Sequence, residues 1–413
     1  MRVAIVGSGI SGLVCAHLLG ARHDVVLFEA DSRVGGHTHT RELDDGGRRV
    51  AVDTGFIVFN ERTYPNFLRL LRRLGVAWQE SDMSFSARSD RRDLEYGGPG
   101  LSSLYAQRKN LLSPGFHRMV LDVLRFYREA RELLAEGPEV GLVDWLQRRG
   151  YSRAFVEDHI LPMAGAVWSS SRGAARDFPA RFLVRFFDNH GFLAVSRRVP
   201  WLTLRGGSHQ YVRAILAGFR GELRTGCPVE RVRRTDPGVE VKPRGAAPER
   251  FDHLVLACHA DQALGLLADP SPVEKELLSA FPYRENRVQL HRDARVMPRS
   301  RPAWSSWNYH LDDDGQEGAC VTYWMNRLQR LQARSDWFVS LNRDGAVDAE
   351  RVQERIAYQH PVFSADGLAA QARHAELIGH RDTSYCGAYW RNGFHEDGVV
   401  SALQVCQRFG ASL

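Results

Sequence analysis

Chemistry in this sequence begins at its glycines. Gly7-Ser8-Gly9-Ile10-Ser11-Gly12 spaces three residues without side chains so that the first makes a tight turn, the second lets a diphosphate approach the main chain, and the third lets a helix pack closely on a strand. The free N–H groups and positive dipole end of the following helix then face the phosphates. Glu29 lies 17 residues beyond Gly12, at the end of the next apolar run, where its carboxylate can accept hydrogen bonds from an adenosine ribose. A ligand-free turn has no need of three glycines, each of which costs about 1 kcal/mol against alanine in a helix.

That turn alone serves nicotinamide and flavin dinucleotides alike. The stretch that follows is more selective: Glu29-Ala30-Asp31-Ser32-Arg33-Val34-Gly35-Gly36-His37, then Thr40. Gly35 and Gly36 offer a second close backbone approach just past the ribose acid, and Arg33 adds a cation. Asp53-Thr54-Gly55 offers a third glycine turn, able to reach a ring system beyond the diphosphate. Three such contacts suit a long, extended cofactor.

Strands and helices must hold these loops in place. Residues 2–6 read as a short, apolar, buried parallel strand. Residues 10–20 follow with helical spacing and 24–28 with a second apolar run, the size of one βαβ unit. Helical faces recur at 65–74, 116–134, 208–219 and 398–409, and short strands at 228–234, 238–242, 250–257, 286–291 and 319–325. Residues 154–200, rich in aromatics and arginine, carry no clean period.

Bulk properties narrow the function classes. A chain of 413 residues calls for two domains. The net charge is +6, but arginine is spread among nearly as many acids and only Lys109, Lys242 and Lys275 are lysines. A nucleic-acid partner would need that charge gathered on one face, so none is expected. The six cysteines form no C-x-x-C pair, which predicts reduced thiols and neither zinc nor a disulfide framework. His37-Thr38-His39 has no partnered acid, and no metal is expected. The first strand starts at Arg2, leaving no room for a signal peptide, and no apolar run reaches about 18 residues. The expectation is a cytoplasmic protein, with a peripheral membrane contact left open.

The sequence resembles the flavin amine oxidase, protoporphyrinogen oxidase and phytoene desaturase superfamily, and within it bacterial NAD/FAD-binding, amine oxidase-like proteins. The likeness rests on the N-terminal G-x-G-x-x-G, on E-x-x-x-R-x-G-G, on Arg205-Gly206-Gly207, on Val229 opening a strand, on Gly387, and on Gly393-Phe394-His395-Glu396. It implies an α/β fold: a Rossmann-type (glutathione reductase-like) FAD-binding domain with a second α+β substrate domain. The FAD domain is expected to be discontinuous, from 1–77, 201–269 and 371–413, with 78–200 and 270–370 forming the substrate domain. It implies non-covalent FAD. Gly7, Gly9, Ser11, Gly12, Glu29, Arg33, Gly35, Gly36 and His37 would hold the adenosine and diphosphate. Val229 would meet the adenine through its backbone, and Thr54 and Gly55 would approach the flavin. Gly387, His395 and Glu396 would stand where the last helix points at the flavin, its dipole stabilising an anionic reduced ring.

Three positions depart from the family. His37 stands where many relatives carry arginine, Ala388 where they place an acid for the ribityl chain, and Arg287 where many amine oxidases use a lysine near the flavin. The last lowers the case for amine oxidation. His395 and Tyr389 are the candidate catalytic residues, His395 as a general base, although a helix-entry residue bonded to backbone fits His395 as well. His259 is expected near the adenine end.

The substrate region is rich in aromatics: Phe182, Phe186, Phe187, Phe192, Trp201, Trp304, Trp307, Tyr309, Tyr323 and Trp324. Together they predict an apolar tunnel. The leading expectation is an FAD-dependent oxidoreductase that dehydrogenates or desaturates a hydrophobic, lipid- or polyene-like substrate by hydride transfer to flavin, with oxygen, a quinone or a carrier protein as external electron acceptor. A flavin amine oxidase, a non-redox flavin-dependent isomerase and a scaffold with a vestigial cofactor fold are the alternatives.

Overall fold

Val3, Ala4, Ile5 and Val6 are all buried, so the first strand has no solvent face and reads as an unbroken apolar run. The computed structural model describes residues 1–98, 100–135, 140–168, 172–176, 178–193, 199–312 and 318–413. In chain order, the elements that frame the site are β1 (Arg2–Val6), α1 (Ile10–Leu19), β2 (Asp24–Phe28), α2 (Pro65–Leu74), α3 (Pro114–Glu129), β3 (Glu222–Arg224), β4 (Val229–Arg234), β5 (His253–Leu256), β6 (Tyr283–His291), β7 (Val352–Pro361), β8 (Thr383–Tyr385) and α4 (His395–Gln407).

Five strands form a sheet in the order β3-β2-β1-β5-β8, with every neighbouring pair parallel. Side chains of β1 alternate between two cores. Val3 and Ile5 join the core that contains α1, α2 and α4. Ala4 and Val6 join the other, with the small antiparallel sheet of β4, Val239–Pro243 and Glu249–Phe251. The sheet is therefore covered on both faces, as a parallel sheet must be.

A second sheet of seven strands runs β7, β6, Phe338–Leu341, Val321–Trp324, Trp307–His310, Phe85–Ser89, Leu94–Gly97. Its pairs are antiparallel except Trp307–His310 with Phe85–Ser89. One face carries Val288, Leu290, Val321, Tyr323 and Val339 and packs under α3 and the shorter helices around it. The other carries Gln289, Ser340, Thr322, Asn308 and Ser86 in register, all buried.

Sequence periodicity and structure diverge where local geometry intervenes. The helix expected over 116–134 is α3 followed by a 3-10 segment, Ala130–Leu134. The run 250–257 breaks at Asp252 into Glu249–Phe251 and β5. Within 154–200 lie the helices Leu161–Trp168 and Ala180–Asn189, and a π-type turn at Val156–Ile160 that shifts the apolar phase. Helix Pro272–Ser279, expected with the substrate segment, instead sends Leu277 and Leu278 into the core shared with β5. Likewise Trp78–Glu80 pairs with Trp201–Leu204 across the boundary expected at residue 77. Among the described residues no helix is long and apolar enough to cross a membrane.

Candidate functional site

Each glycine of the first turn answers to a different neighbour. A Cβ on Gly12 would lie 1.9 Å from the Gly7 carbonyl oxygen, and one on Gly7 2.8 Å from the Ala257 oxygen. Both glycines are needed to close α1 onto the sheet. A Cβ on Gly9 would meet nothing within 4 Å. Gly9 is the N-cap of α1 with no side chain capping that end, so the first-turn N–H groups have no partner of their own. Gly36, at φ 58°, approaches from above, with its Cβ position 3.0 Å from the Gly9 Cα. The two glycine turns thus lie backbone to backbone.

The loop after β2 is held by its own polar groups. The Glu29 carboxylate accepts from the Ser8 N–H at 2.9 Å, from the Ser8 hydroxyl, and from the Asp31 N–H at 2.9 Å. Arg33 donates to the Thr38 carbonyl at 3.0 Å, closing the turn through Gly35 and Gly36. Backbone bonds Cys227 N–H to Glu29 O and Gly226 N–H to Asp31 O bring the start of β4 alongside. Arg244 N–H donates to Pro228 O, so by the alternation of an antiparallel ladder the neighbouring Val229, opposite Pro243, turns its own N–H and C=O to the outer edge of β4, which is bridged further along where Ala268 N–H donates to Val232 O. Adenine would be met on that edge.

The Asp53-Thr54-Gly55 turn is a polar hub. Asp53, fully buried, accepts from the Thr40 hydroxyl at 2.5 Å, from the Ser208 N–H and hydroxyl at 2.9 and 2.8 Å, and from Gln329 Nε2 at 2.6 Å. Burial lifts its carboxyl to about 7, against the pull of Thr40 and Ser208. The Thr54 hydroxyl meets Tyr358 Oη at 2.9 Å, and a Cβ on Gly55 would lie 2.1 Å from the His37 oxygen. This turn is therefore tied to the turn at Ser208 and, through Gln329, to the second domain.

At the far end, α4 starts beside α1. The Ser11 hydroxyl donates to the Gly398 carbonyl at 2.9 Å, so this side chain is engaged by α4, leaving its main-chain N–H for a phosphate. His395 stacks on Phe56 with ring centroids 3.5 Å apart, and its Nε2 meets Thr38 Oγ1 at 2.9 Å and Tyr211 Oη at 3.2 Å. Burial pushes its imidazole down to about 3, so it is a neutral, weakly basic ring fixed by hydroxyls. The ring bonds are to side-chain hydroxyls, not to the backbone that the helix-entry alternative expected. The Glu396 carboxylate, expected toward the flavin, instead caps α2: it accepts from Asn66 N–H at 3.1 Å, Asn66 Nδ2 at 2.7 Å and Phe67 N–H at 2.9 Å. Asp397 accepts the Phe394 N–H at 2.9 Å and is lifted by burial to about 7. Tyr389 folds over Gly387, where a Cβ would lie 2.3 Å from its ring. It packs on Phe281 and Trp390 in the core shared with β4 and β5, rather than the core of α1 and α4, and its hydroxyl is buried without a partner.

Several residues of the site were silent in the sequence. His37 lies over Tyr358 and His360 with centroids 5.0 and 5.2 Å away, and 6.2 Å from His259, whose ring stacks on Tyr283 at 4.3 Å. Burial, then mutual repulsion with His360 and His259, drives the His37 pKa well down, and burial takes His360 to about 4. The Nε2 of His37 is buried without a partner. The one sequence signal was the period-2 placement of Tyr358 and His360 on β7.

Aromatics converge next to α4. Phe394, immediately before His395, stacks on Phe186 at 5.1 Å, and Phe186 meets Trp168 at 4.7 Å and His190 at 3.8 Å. Phe192 and Trp201 continue the wall, 5.9 Å apart. Trp304 and Trp324 do not join it; they pack with Met297 and Phe338 in a separate cluster. Arg287 points away, 57% exposed and paired with Asp344 at 2.9 Å.

The residues present fit a bound FAD. Open space lies over Gly9, the end of α1 is uncapped, Arg33 stands by the second glycine turn, and His37 Nε2 is a buried polar atom without a partner. Comparison with known proteins agrees. The family described as flavin containing amine oxidoreductase matches residues 10–287. The 15-cis-phytoene desaturase of Synechococcus elongatus is 24% identical over 180 residues, 40% of this chain and 37% of that protein. The L-glutamate oxidase precursor of Streptomyces diastatochromogenes is 24% identical over 420 residues, 80% of this chain and 61% of that protein. The chain thus spans under two thirds of either relative. The crystal structure of a CLA-producing fatty acid isomerase from P. acnes superposes with TM-score 0.69 at 16% identity, covering 99% of this chain and 98% of that one, a likeness of fold.

Proposed function

Because the chain belongs to the flavin-containing amine oxidoreductase family, whose cofactor is FAD, we propose that it is an FAD-dependent oxidoreductase that dehydrogenates or desaturates a hydrophobic substrate of lipid or polyene type. The observation that carries this reading is the stack of Phe394 on Phe186. It joins the aromatic wall of the second domain directly to the start of α4. FAD, when bound, supplies the acceptor for a hydride or electrons. The chain's residues then position and enclose. Gly9, Gly36, Arg33 and the start of α1 hold the diphosphate, Glu29 the ribose and the edge of Val229 the adenine. Phe186, Phe192, Trp201 and Phe394 keep water from an apolar substrate. The division of labour follows the two sheets, and an external oxygen, quinone or carrier protein reoxidises the enzyme. A cytoplasmic location belongs to the same reading.

Amine oxidation is the second reading, favoured by the extent of the match to the L-glutamate oxidase precursor. Against it, the β6 position expected to hold a lysine carries Arg287, turned to solvent. Anaerobic addition of fatty acyl lipids, carotenoid-like polyenes and simple amines to the purified protein separates the readings. Bleaching of the flavin band by lipids or polyenes supports the first, and bleaching by amines with peroxide release in air replaces it. Turnover that requires prior flavin reduction assigns an isomerase.

A further inference from the structure

Among the described residues, the exposed large apolar side chains other than Met1 are five leucines from one stretch of the second domain: Leu101 at 75%, Leu111 at 48%, Leu112 at 87%, Leu121 at 61% and Leu124 at 48%. Tyr105 ties the stretch together, its ring 5.7 Å from Phe116 and its hydroxyl 3.2 Å from His117 Nδ1. On α3, helical spacing sets Leu121 and Leu124 on the outer face beside Arg118 and Arg128, which are 55% and 79% exposed. Arg108 and Lys109 are exposed just before Leu111. The one acid between residues 101 and 128, Asp122, is buried.

We propose that this face docks the protein on a bilayer containing anionic phospholipids, with the leucines in the headgroup–acyl boundary and Arg108 and Arg128 against the phosphates. Lys109 pairs with the exposed Asp93 and Arg118 with Asp122, so Arg108 and Arg128, flanking the apolar residues, give the charge complementarity that surface-lying helices use. A protein partner would meet a close-packed centre enriched in aromatics. Here single leucines stand between arginines on the outside of a helix, which needs fluid cover rather than a matched shape. The inner face of α3 points the same way: Phe116, Met119 and Phe126 belong to the core that holds Trp168, Phe186 and Phe187. The surface that meets lipid is therefore the back of the substrate region. This inference rests on the lipid reading above for the identity of the substrate, but not for the binding itself.

The test is sedimentation of the FAD-loaded protein with vesicles of phosphatidylcholine alone and of phosphatidylcholine mixed with phosphatidylglycerol. The intact protein is expected on the mixed vesicles, and less as salt rises. The triple variant L112S/L121S/L124S should lose about tenfold or more in binding, with unchanged melting temperature and flavin spectrum. R108Q/R128Q should bind more weakly and lose part of the salt dependence. Absence of binding to both vesicles, or equal binding by the leucine variant, overturns the proposal. So does a dimer in light scattering that the leucine variant makes monomeric, since a second copy would then cover the face. Flavin bleaching by detergent-dispersed lipid needs no bilayer, so failure of docking and failure of the substrate reading are separately visible.

Discussion

Ser11 and Gly398, 387 residues apart, are joined by one buried hydrogen bond of 2.9 Å from the serine hydroxyl to the glycine carbonyl. It fixes the start of α1 against the start of α4. The fit is close on both sides, since a Cβ on Gly398 would lie 2.7 Å from Ile10 Cγ2. Ser11→Ala removes one bond from a carbonyl that also accepts from the Ser401 hydroxyl at 3.1 Å, and should cost about 0.5–1.5 kcal/mol in denaturant unfolding. Gly398→Ala overpacks the crossing and should cost a similar amount. An unfolding midpoint unmoved by both would show that the two helix ends are not braced together.

Gly9 and Gly12 are expected to respond in opposite ways. Valine at position 9 enters open space, so the apoprotein should melt at the same temperature while FAD affinity falls about tenfold or more, because the diphosphate loses its approach to the backbone. Alanine at position 12 meets the Gly7 oxygen at 1.9 Å and should lower the yield of folded protein. Titration of FAD into the two apoproteins, with their thermal melts, distinguishes these outcomes.

What was legible in the sequence was whatever local chemistry dictates. The βαβ unit announces itself because glycine spacing and two apolar runs leave few alternatives, and α2 appears over the residues its apolar face marks out. The pairing of Trp78–Glu80 with Trp201–Leu204, across the division expected near residue 77, was not legible because it is long-range and leaves no local mark. The helices after residue 153 were hidden by a π-type turn, which breaks the period on which pattern reading depends. At the site, residue types foretold the backbone contacts, since glycine has one use there. The directions of Glu396 and Tyr389 were not foretold, because an acid in the first turn of a helix can serve its own helix, a ligand or, as here, the end of α2.

Glu396 accordingly belongs to stability. Its carboxylate takes three N–H bonds at the start of α2, and Glu396→Ala should cost about 1–2 kcal/mol, the worth of a lost N-cap. FAD affinity should stay within about twofold, since the side chain faces Asn66 and Phe67 rather than the cofactor. Thermal melts and FAD titration of this one variant decide the matter. A large loss of affinity at unchanged stability would return Glu396 to the flavin.

The fold should weaken in acid well before its exposed carboxylates titrate. Burial lowers His39, His159, His190, His253, His291 and His360 to about 4 and His395 to about 3, and holds His37 and His310 well below their usual value. A histidine with a depressed folded-state pKa binds more protons when unfolded, so stability rises with pH toward 6.5 and is lost as pH falls from 6.5 toward 4. Asp53 and Asp397, each raised to about 7, act oppositely, since the folded state then holds the extra proton between 3.8 and 7. Nine histidines outnumber two aspartates, so denaturant unfolding should show a net fall in stability across that window. A flat profile would mean that these rings are not buried neutral.

The same cluster should make FAD binding depend on protons. In the apoprotein His37, His259 and His360 are held neutral, burial being the largest cause for each. A diphosphate beside them favours the imidazolium form. A group whose pKa rises on binding takes up a proton, so FAD affinity should increase as pH falls from about 8 to about 6. Asp261 lies near His259, and Arg33 and Glu354 near Tyr358. His37→Gln keeps a hydrogen-bond donor but removes the titration, and should flatten the dependence while leaving affinity near the high-pH value of the parent. Calorimetric titration in buffers of different ionisation enthalpy reads the proton uptake directly. If both proteins take up the same number of protons, His37 is not the group that meets the phosphates.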